Sequence, residues 1–287
     1  MTDPTPTSTT HDIDVNGITL RVVTWGAFTT PERAAMLVHG ITASHMNWAE
    51  YGPHLAARGW YAIAPDLRGR GLSAKPPHGY GIPYHANDLL ALCDHFGLPT
   101  MQLVGHSLGG LIGMFLGAVY PERIAKLVVI DVGGKLPDDT YQAISAALSR
   151  LGAVFPSLDA YLAAMRGISR FPWESFGERY FRYDAEVRPD GTALSRVPRG
   201  AIAEEVAVNA TLRTAALPER ITAPTLILRA TDGLLGGERG LLLPRDEAER
   251  MHALIVGSRF VEVPGTDHYT IVLAERFTTE VTAFLEG

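Results

Sequence analysis

The sequence predicts an α/β protein: a mostly parallel sheet covered by helices on both faces, with a helical segment inserted late in the chain. Three observations point there. Apolar strand-like runs alternate with helix-length amphipathic stretches, the alternation lapses for 87 residues between Val132 and Pro218, and a turn signal near the start marks an antiparallel hairpin.

Taken in order, residues 1–11 are Thr- and Pro-rich without periodicity and read as a flexible tail. HDIDVNG and TLRVVTW then flank Asn16-Gly17, residue types that tolerate the positive φ of a two-residue hairpin turn. The core strands follow as MLVHG, WYAIAPD, MQLVGHS, LVVIDV, TLILRAT and RFVEVPG, near-continuous apolar runs as expected of strands buried on both faces. Between the fourth and fifth of these runs, helical patterns over Asp138 to Leu151, Ser157 to Ile168 and Ala201 to Thr211 come without a core strand. Residues 132–218 are therefore expected to form a helical cap, and 12–131 with 219–287 the core domain. Eight aromatic residues crowd the cap between Phe155 and Tyr183, either as its own small core or as the lining of an apolar pocket.

Composition narrows the function. A chain of 287 residues buries a sizeable core without staples, and 46% hydrophobic with 20% charged residues is ordinary for a globular protein. A net charge of −6 argues against a nucleic-acid partner, which needs a basic face. Cys93 is the only cysteine, so neither an intramolecular disulfide nor a cysteine-rich metal site can form. His39 and His45 lack an intervening carboxylate, and no metal or cofactor is called for. The N-terminus has no basic stretch followed by an apolar one, and the apolar run Leu108 to Tyr120 is short of the ~20 residues that span a bilayer. A cytoplasmic protein without a membrane partner is expected, as monomer or homodimer.

The chemistry gathers on a few residues. Gly105-His106-Ser107-Leu108-Gly109 fits G-x-S-x-G between a strand and a helix, where small neighbours let a serine occupy a strained turn and project its hydroxyl. His106 is adjacent to Ser107, but neighbours on a sharp turn point apart. A serine hydroxyl needs a base and an acid to orient that base. His268, in Gly265-Thr266-Asp267-His268 at the carboxyl end of RFVEVPG, is the expected base. For the acid, Asp232 is preferred because it ends the strand next to the one that feeds His268, with Asp131, at the end of LVVI, as the alternative. The oxyanion donors are expected to be the backbone amides of Leu108 and Ile41. Arg166, Arg170, Arg182 and Arg188 on the cap either bind a substrate carboxylate or are solvated surface residues.

Four motifs in order, HGITAS (His39 to Ser44), Asp66 to Ser73 (DLRGRGLS), GHSLGG (Gly105 to Gly110) and Gly265-Thr266-Asp267-His268, resemble the α/β-hydrolase superfamily over nearly all of residues 12–287. The resemblance implies an eight-stranded sheet with a helical cap inserted after the sixth strand, and is strongest to the capped carboxylesterase and carbon–carbon bond hydrolase branch. Related dehalogenases and epoxide hydrolases use an aspartate nucleophile, where this chain has Ser107. The expected activity is a cofactor-free serine hydrolase acting on carboxylic esters of small to medium apolar molecules through an acyl-enzyme. The alternatives are a C–C bond or amide hydrolase with the same residues, or a slow-turnover ligand-binding member of the fold.

Overall fold

The structure, a computed structural model, describes residues 7–287. Among the described residues there are ten strands: β1 (Ser8–Val15), β2 (Ile18–Trp25), β3 (Ala34–Val38), β4 (Tyr61–Pro65), β5 (Met101–His106), β6 (Ile124–Ile130), β7 (Ala185–Val187), β8 (Ala193–Ser195), β9 (Thr225–Ala230) and β10 (Arg259–Val263). Among the same residues nine α-helices accompany them: α1 (Tyr51–Ala56), α2 (Ile82–His95), α3 (Leu108–Val119), α4 (Asp138–Leu148), α5 (Leu158–Ile168), α6 (Glu178–Asp184), α7 (Arg199–Asn209), α8 (Arg245–Leu254) and α9 (Glu275–Glu286). Eight strands form one sheet in the order β1-β2-β4-β3-β5-β6-β9-β10, antiparallel through β1, β2 and β4 and parallel from β4 onward.

Alternation along the strands builds two cores. In register across β3, β5 and β6, Met36, Leu103 and Leu127 turn to one face and Leu37, Val104 and Val128 to the other. The first face is covered by α2, α3 and α8 and includes Cys93; the second by α1 and α9, through Tyr51, Leu55, Phe277 and Val281. With both faces covered, every residue of β3 and β5 is buried, which is why these strands read as apolar runs. Among the described residues no helix is long and apolar enough to cross a membrane.

Two expectations need correction. The tail expected over residues 1–11 does not hold for Ser8 to His11, which pair with Trp25 to Val22; residues 1–6 of that expectation lie outside the described residues. Asn16 and Gly17 both have positive φ, 51° and 76°, and the ladder they start runs on by backbone hydrogen bonding after side-chain alternation has ended. The segment between β6 and β9 also holds more than helices. It contains α4 to α7 together with the hairpin β7–β8, whose three-residue strands are too short to leave a periodic signal. Its aromatics do pack on one another, with Tyr161, Phe171, Phe176, Tyr180 and Phe181 in one cluster.

Candidate active site

Ser107 stands where β5 turns into α3, at φ 55° and ψ −120°, a conformation that β-carbon sterics disfavour. Its amide donates to the Ile130 carbonyl at 3.0 Å, and its carbonyl accepts from Gly110 at 2.8 Å, so the turn is clamped at both ends. The flanking glycines are required by contact. A β-carbon at Gly105 would meet the Gly109 carbonyl oxygen at 2.3 Å, and one at Gly109 the Val38 carbonyl oxygen at 2.1 Å. Besides Ser107 and the hairpin residue Asn16, the described non-glycine residue at positive φ is Asp131, at 51° and the end of β6. Backbone strain of roughly 1–3 kcal/mol per residue persists only where surrounding structure imposes it, so two such residues at one sheet edge mark a site.

The two are linked through His268. Asp131, 2% exposed, accepts the Ala230 amide on Oδ1 at 2.9 Å and His268 Nδ1 on Oδ2 at 2.8 Å. A carboxylate only accepts, so Nδ1 carries a proton, and in the neutral imidazole Nε2 is the nitrogen with the lone pair. The His268 backbone is held as well: its carbonyl accepts from His106 Nε2 at 2.8 Å, and Asp267 braces the turn by accepting the Tyr269 and Thr270 amides at 2.9 and 3.0 Å. Ser107 and His268 line one cavity of about 100 Å³ with Gly40, Ile41 and Tyr180. Among the described residues no hydrogen bond joins the Ser107 hydroxyl to His268, a contact that commonly tightens only around substrate.

The preferred pairing of His268 with Asp232 does not occur. Asp232 is exposed, and its carboxylate accepts from the neighbouring Thr231 hydroxyl at 3.2 Å. Its amide does reach Thr266, two residues before His268, at 2.9 Å, so the two loops are neighbours as the strand order suggests. The loop after β10, however, folds back across the end of β9 and brings the imidazole to the end of β6. Strand adjacency located the loops but not the direction of the ring.

The loop after β3 is held through its carbonyls. His39 Nδ1 donates to the Gly40 oxygen at 2.8 Å and its Nε2 accepts the Leu67 amide at 3.0 Å, while Arg70 Nε donates to the Ile41 oxygen at 2.7 Å. The absence of a side chain at Gly40 matters, since a β-carbon there would stand 3.2 Å from Ser107 Cβ. Among the described residues the Ile41 and Leu108 amides donate to no protein acceptor.

A second cavity of about 450 Å³ shares Thr42, Ala147, Phe171, Tyr180, Leu234 and Tyr269 with the first. Phe171 and Tyr180 thus belong both to the aromatic cluster and to the cavity wall. Of the four arginines considered from the sequence, Arg166 and Arg182 pair with Glu174 and Glu178 at the surface and Arg188 is exposed. Arg170 reaches the cavity but is held by the Leu234 carbonyl and lies 3.4 Å from Asp267. The sequence reading passed over Arg150, which lines this cavity with a buried Nη1 that has no hydrogen-bond partner, 3.7 Å from Asp184. The stripe Ala143, Ala146, Ala147, Arg150, at helical i, i+3, i+4, i+7 spacing, would have indicated it.

Three histidines beneath the site are kept neutral by burial. Desolvation pushes His39 down from 6.5 to about 4, and His85 and His106 well below the usual imidazole value, with the Arg70 charge adding to the effect at His85 and His268 at His106. An unfolded chain takes up protons on these side chains below about pH 6.5, whereas the folded chain resists until far lower, so stability falls as pH drops. For His39 alone, a fall from 6.5 to about 4 corresponds to roughly 3 kcal/mol. The melting temperature is expected to drop steadily between about pH 6.5 and 4.5. A midpoint that stays flat across that interval in thermal scans would show that these imidazoles are not held neutral.

This arrangement places an elbow serine and a histidine–aspartate pair at one edge of a mostly parallel sheet covered by helices, the layout of the α/β-hydrolase fold. A family model for the alpha/beta hydrolase fold matches residues 36–274, and the chain belongs to that family. It is similar to the 2-(acetamidomethylene)succinate hydrolase of Mesorhizobium japonicum, 27% identical over 285 residues covering 96% of this chain and 94% of that one. A putative carbamate hydrolase, RutD, of Variovorax paradoxus is 33% identical over 208 residues, covering 70% and 74%. The crystal structure of E-2-(acetamidomethylene)succinate hydrolase superposes with a TM-score of 0.82 at 24% identity, over 98% of this chain and 100% of that one, a likeness of fold.

Proposed function

We propose that the protein hydrolyses carboxylic esters of small acyl groups through an acyl-enzyme on Ser107, with His268 as base and Asp131 as the acid that orients it. The observation that carries this reading is the strained Ser107 elbow sharing a cavity with an imidazole bonded to a buried carboxylate. Ser107 Oγ attacks the carbonyl carbon as its proton passes to His268 Nε2, and the Ile41 and Leu108 amides receive the oxyanion. Collapse expels the alcohol, which takes the proton from His268. Water, deprotonated by the same nitrogen, then releases the acid and frees Ser107. The residues between β6 and β9 act here as the cap that closes the pocket over the serine.

The test is the turnover of p-nitrophenyl esters from acetate to decanoate by wild type and Ser107→Ala. A chamber of about 100 Å³ beside Ser107 favours the shortest acyl chains. Ser107→Ala is expected to lose kcat by about 10⁶-fold. Folded wild type with no turnover on any ester, or Ser107→Ala that retains it, would remove the ester reading.

A second reading, amide or C–C hydrolysis of a carboxylate-bearing metabolite by the same residues, is favoured by Arg150, a cation in the wall of the larger cavity whose only near carboxylate among the described residues, Asp184, lies 3.7 Å from Nη1 without a hydrogen bond. The relatives named as a 2-(acetamidomethylene)succinate hydrolase and a putative carbamate hydrolase support it. Arg150→Met is expected to raise KM about 10-fold or more for a carboxylate-bearing enamide while leaving neutral esters unchanged. Equal effects on both substrates would leave Arg150 without a role in recognition.

A further inference from the structure

Helix α7, from the insertion, carries a fully buried carboxylate. Glu205 is 0% exposed, as are the two side chains that bind it, Arg70 through Nη2 and His85 through Nε2 at 2.9 Å. Taking a guanidinium and a carboxylate out of water is costly, and apolar residues of the same volume generally hold a helix as well. Nor is the pair needed to dock α7. Glu204 accepts the Gly79 and Tyr80 amides at 2.8 and 3.2 Å, and Asn209 accepts the Ile82 amide at 2.9 Å, supplying the N-terminal cap that α2 lacks from its own Gly81.

The other end of Arg70 shows what the pair does. Nε donates to the Ile41 carbonyl at 2.7 Å and Nη1 to the Arg68 carbonyl at 3.0 Å, so every nitrogen of the planar fork is committed. With Glu205 fixing Nη2 of a rigid guanidinium, the adjacent Nε on the same edge is fixed against the Ile41 carbonyl and so holds the peptide that follows Ile41. We propose that Glu205 is a positioning residue for acyl transfer: through Arg70 it sets the loop that presents the Ile41 amide to the oxyanion, and the oxyanion site is complete only with α7 seated. The inference rests on the acyl-transfer reading above.

The test compares kcat and KM for a short p-nitrophenyl ester with the affinity of a trifluoromethyl ketone of the same acyl length. The adduct of that ketone on Ser107 carries the oxyanion, whereas the ester ground state does not. In Glu205→Gln, kcat and ketone affinity should fall together by about 30-fold while KM stays within about threefold. Arg70→Met, which keeps the stem and loses the tether, should reproduce that split. Asn209→Ala, which weakens α7 docking without touching Arg70, should lower the melting temperature and leave both catalytic readouts in place. The proposal is overturned by unchanged kcat in Glu205→Gln, by a loss confined to KM, by an equal loss in Asn209→Ala, or by failure of both Glu205→Gln and Arg70→Met to fold. Ketone binding that survives Ser107→Ala would instead overturn the acyl-transfer reading.

Discussion

Asp131→Asn is expected to lower kcat by about 10⁴-fold, and Asp232→Asn to leave it within about threefold. The substitution at 131 is isosteric: its amide oxygen still accepts from Ala230, and its NH₂ then faces His268 Nδ1. A donor there forces the proton of a neutral imidazole onto Nε2, leaving no lone pair to take the Ser107 proton. Asp232 offers no such leverage, since its carboxylate is exposed and bonded locally to Thr231. The measurement is steady-state ester hydrolysis with thermal midpoints alongside, to separate a wrong tautomer from a weakened fold. A greater loss at Asp232 would transfer the acid role to the loop after β9.

Gly105→Ala is expected to destabilise the protein by more than about 4 kcal/mol, whereas Gly167→Ala stabilises it by about 0.5 kcal/mol. At Gly105 the added methyl would lie 2.3 Å from the Gly109 carbonyl oxygen and 2.6 Å from the Gly110 amide nitrogen. Both are backbone atoms, so relief requires moving α3 off β5 and taking the Ser107 turn with it. At Gly167, within α5, nothing lies within 4 Å and φ is ordinary, so alanine only narrows the unfolded ensemble. Urea midpoints of the two variants check both signs at once. A Gly105→Ala protein as stable as wild type would mean that the packing of α3 on β5 is not what confines the elbow.

The legibility of the site follows from the range of the interactions involved. The elbow was readable because its constraint is local: Gly105, Ser107 and Gly109 lie within five residues, and the close approaches that forbid side chains lie in the same strand-turn-helix unit or on neighbouring β3. His268 was readable because it follows a strand and lies in a turn. Its carboxylate partner was not, because Asp131 and Asp232 both end strands at the same sheet edge, and the pairing depends on how one loop crosses β9. Arg150 was passed over for arginines nearer the aromatic cluster, although its helical stripe was in view.

By itself, then, the sequence determined the alternation of strands and helices, the place of the insertion, the serine elbow and the histidine, because hydrophobic periodicity and turn chemistry act over a few residues. The tertiary structure alone decided that Asp131 holds His268, that Arg150 stands beside Asp184, and that Glu205 reaches Arg70 across 135 residues of chain. Each of these depends on the direction of a side chain at a junction between elements. That direction is set by packing between segments distant in the chain, which no local pattern encodes.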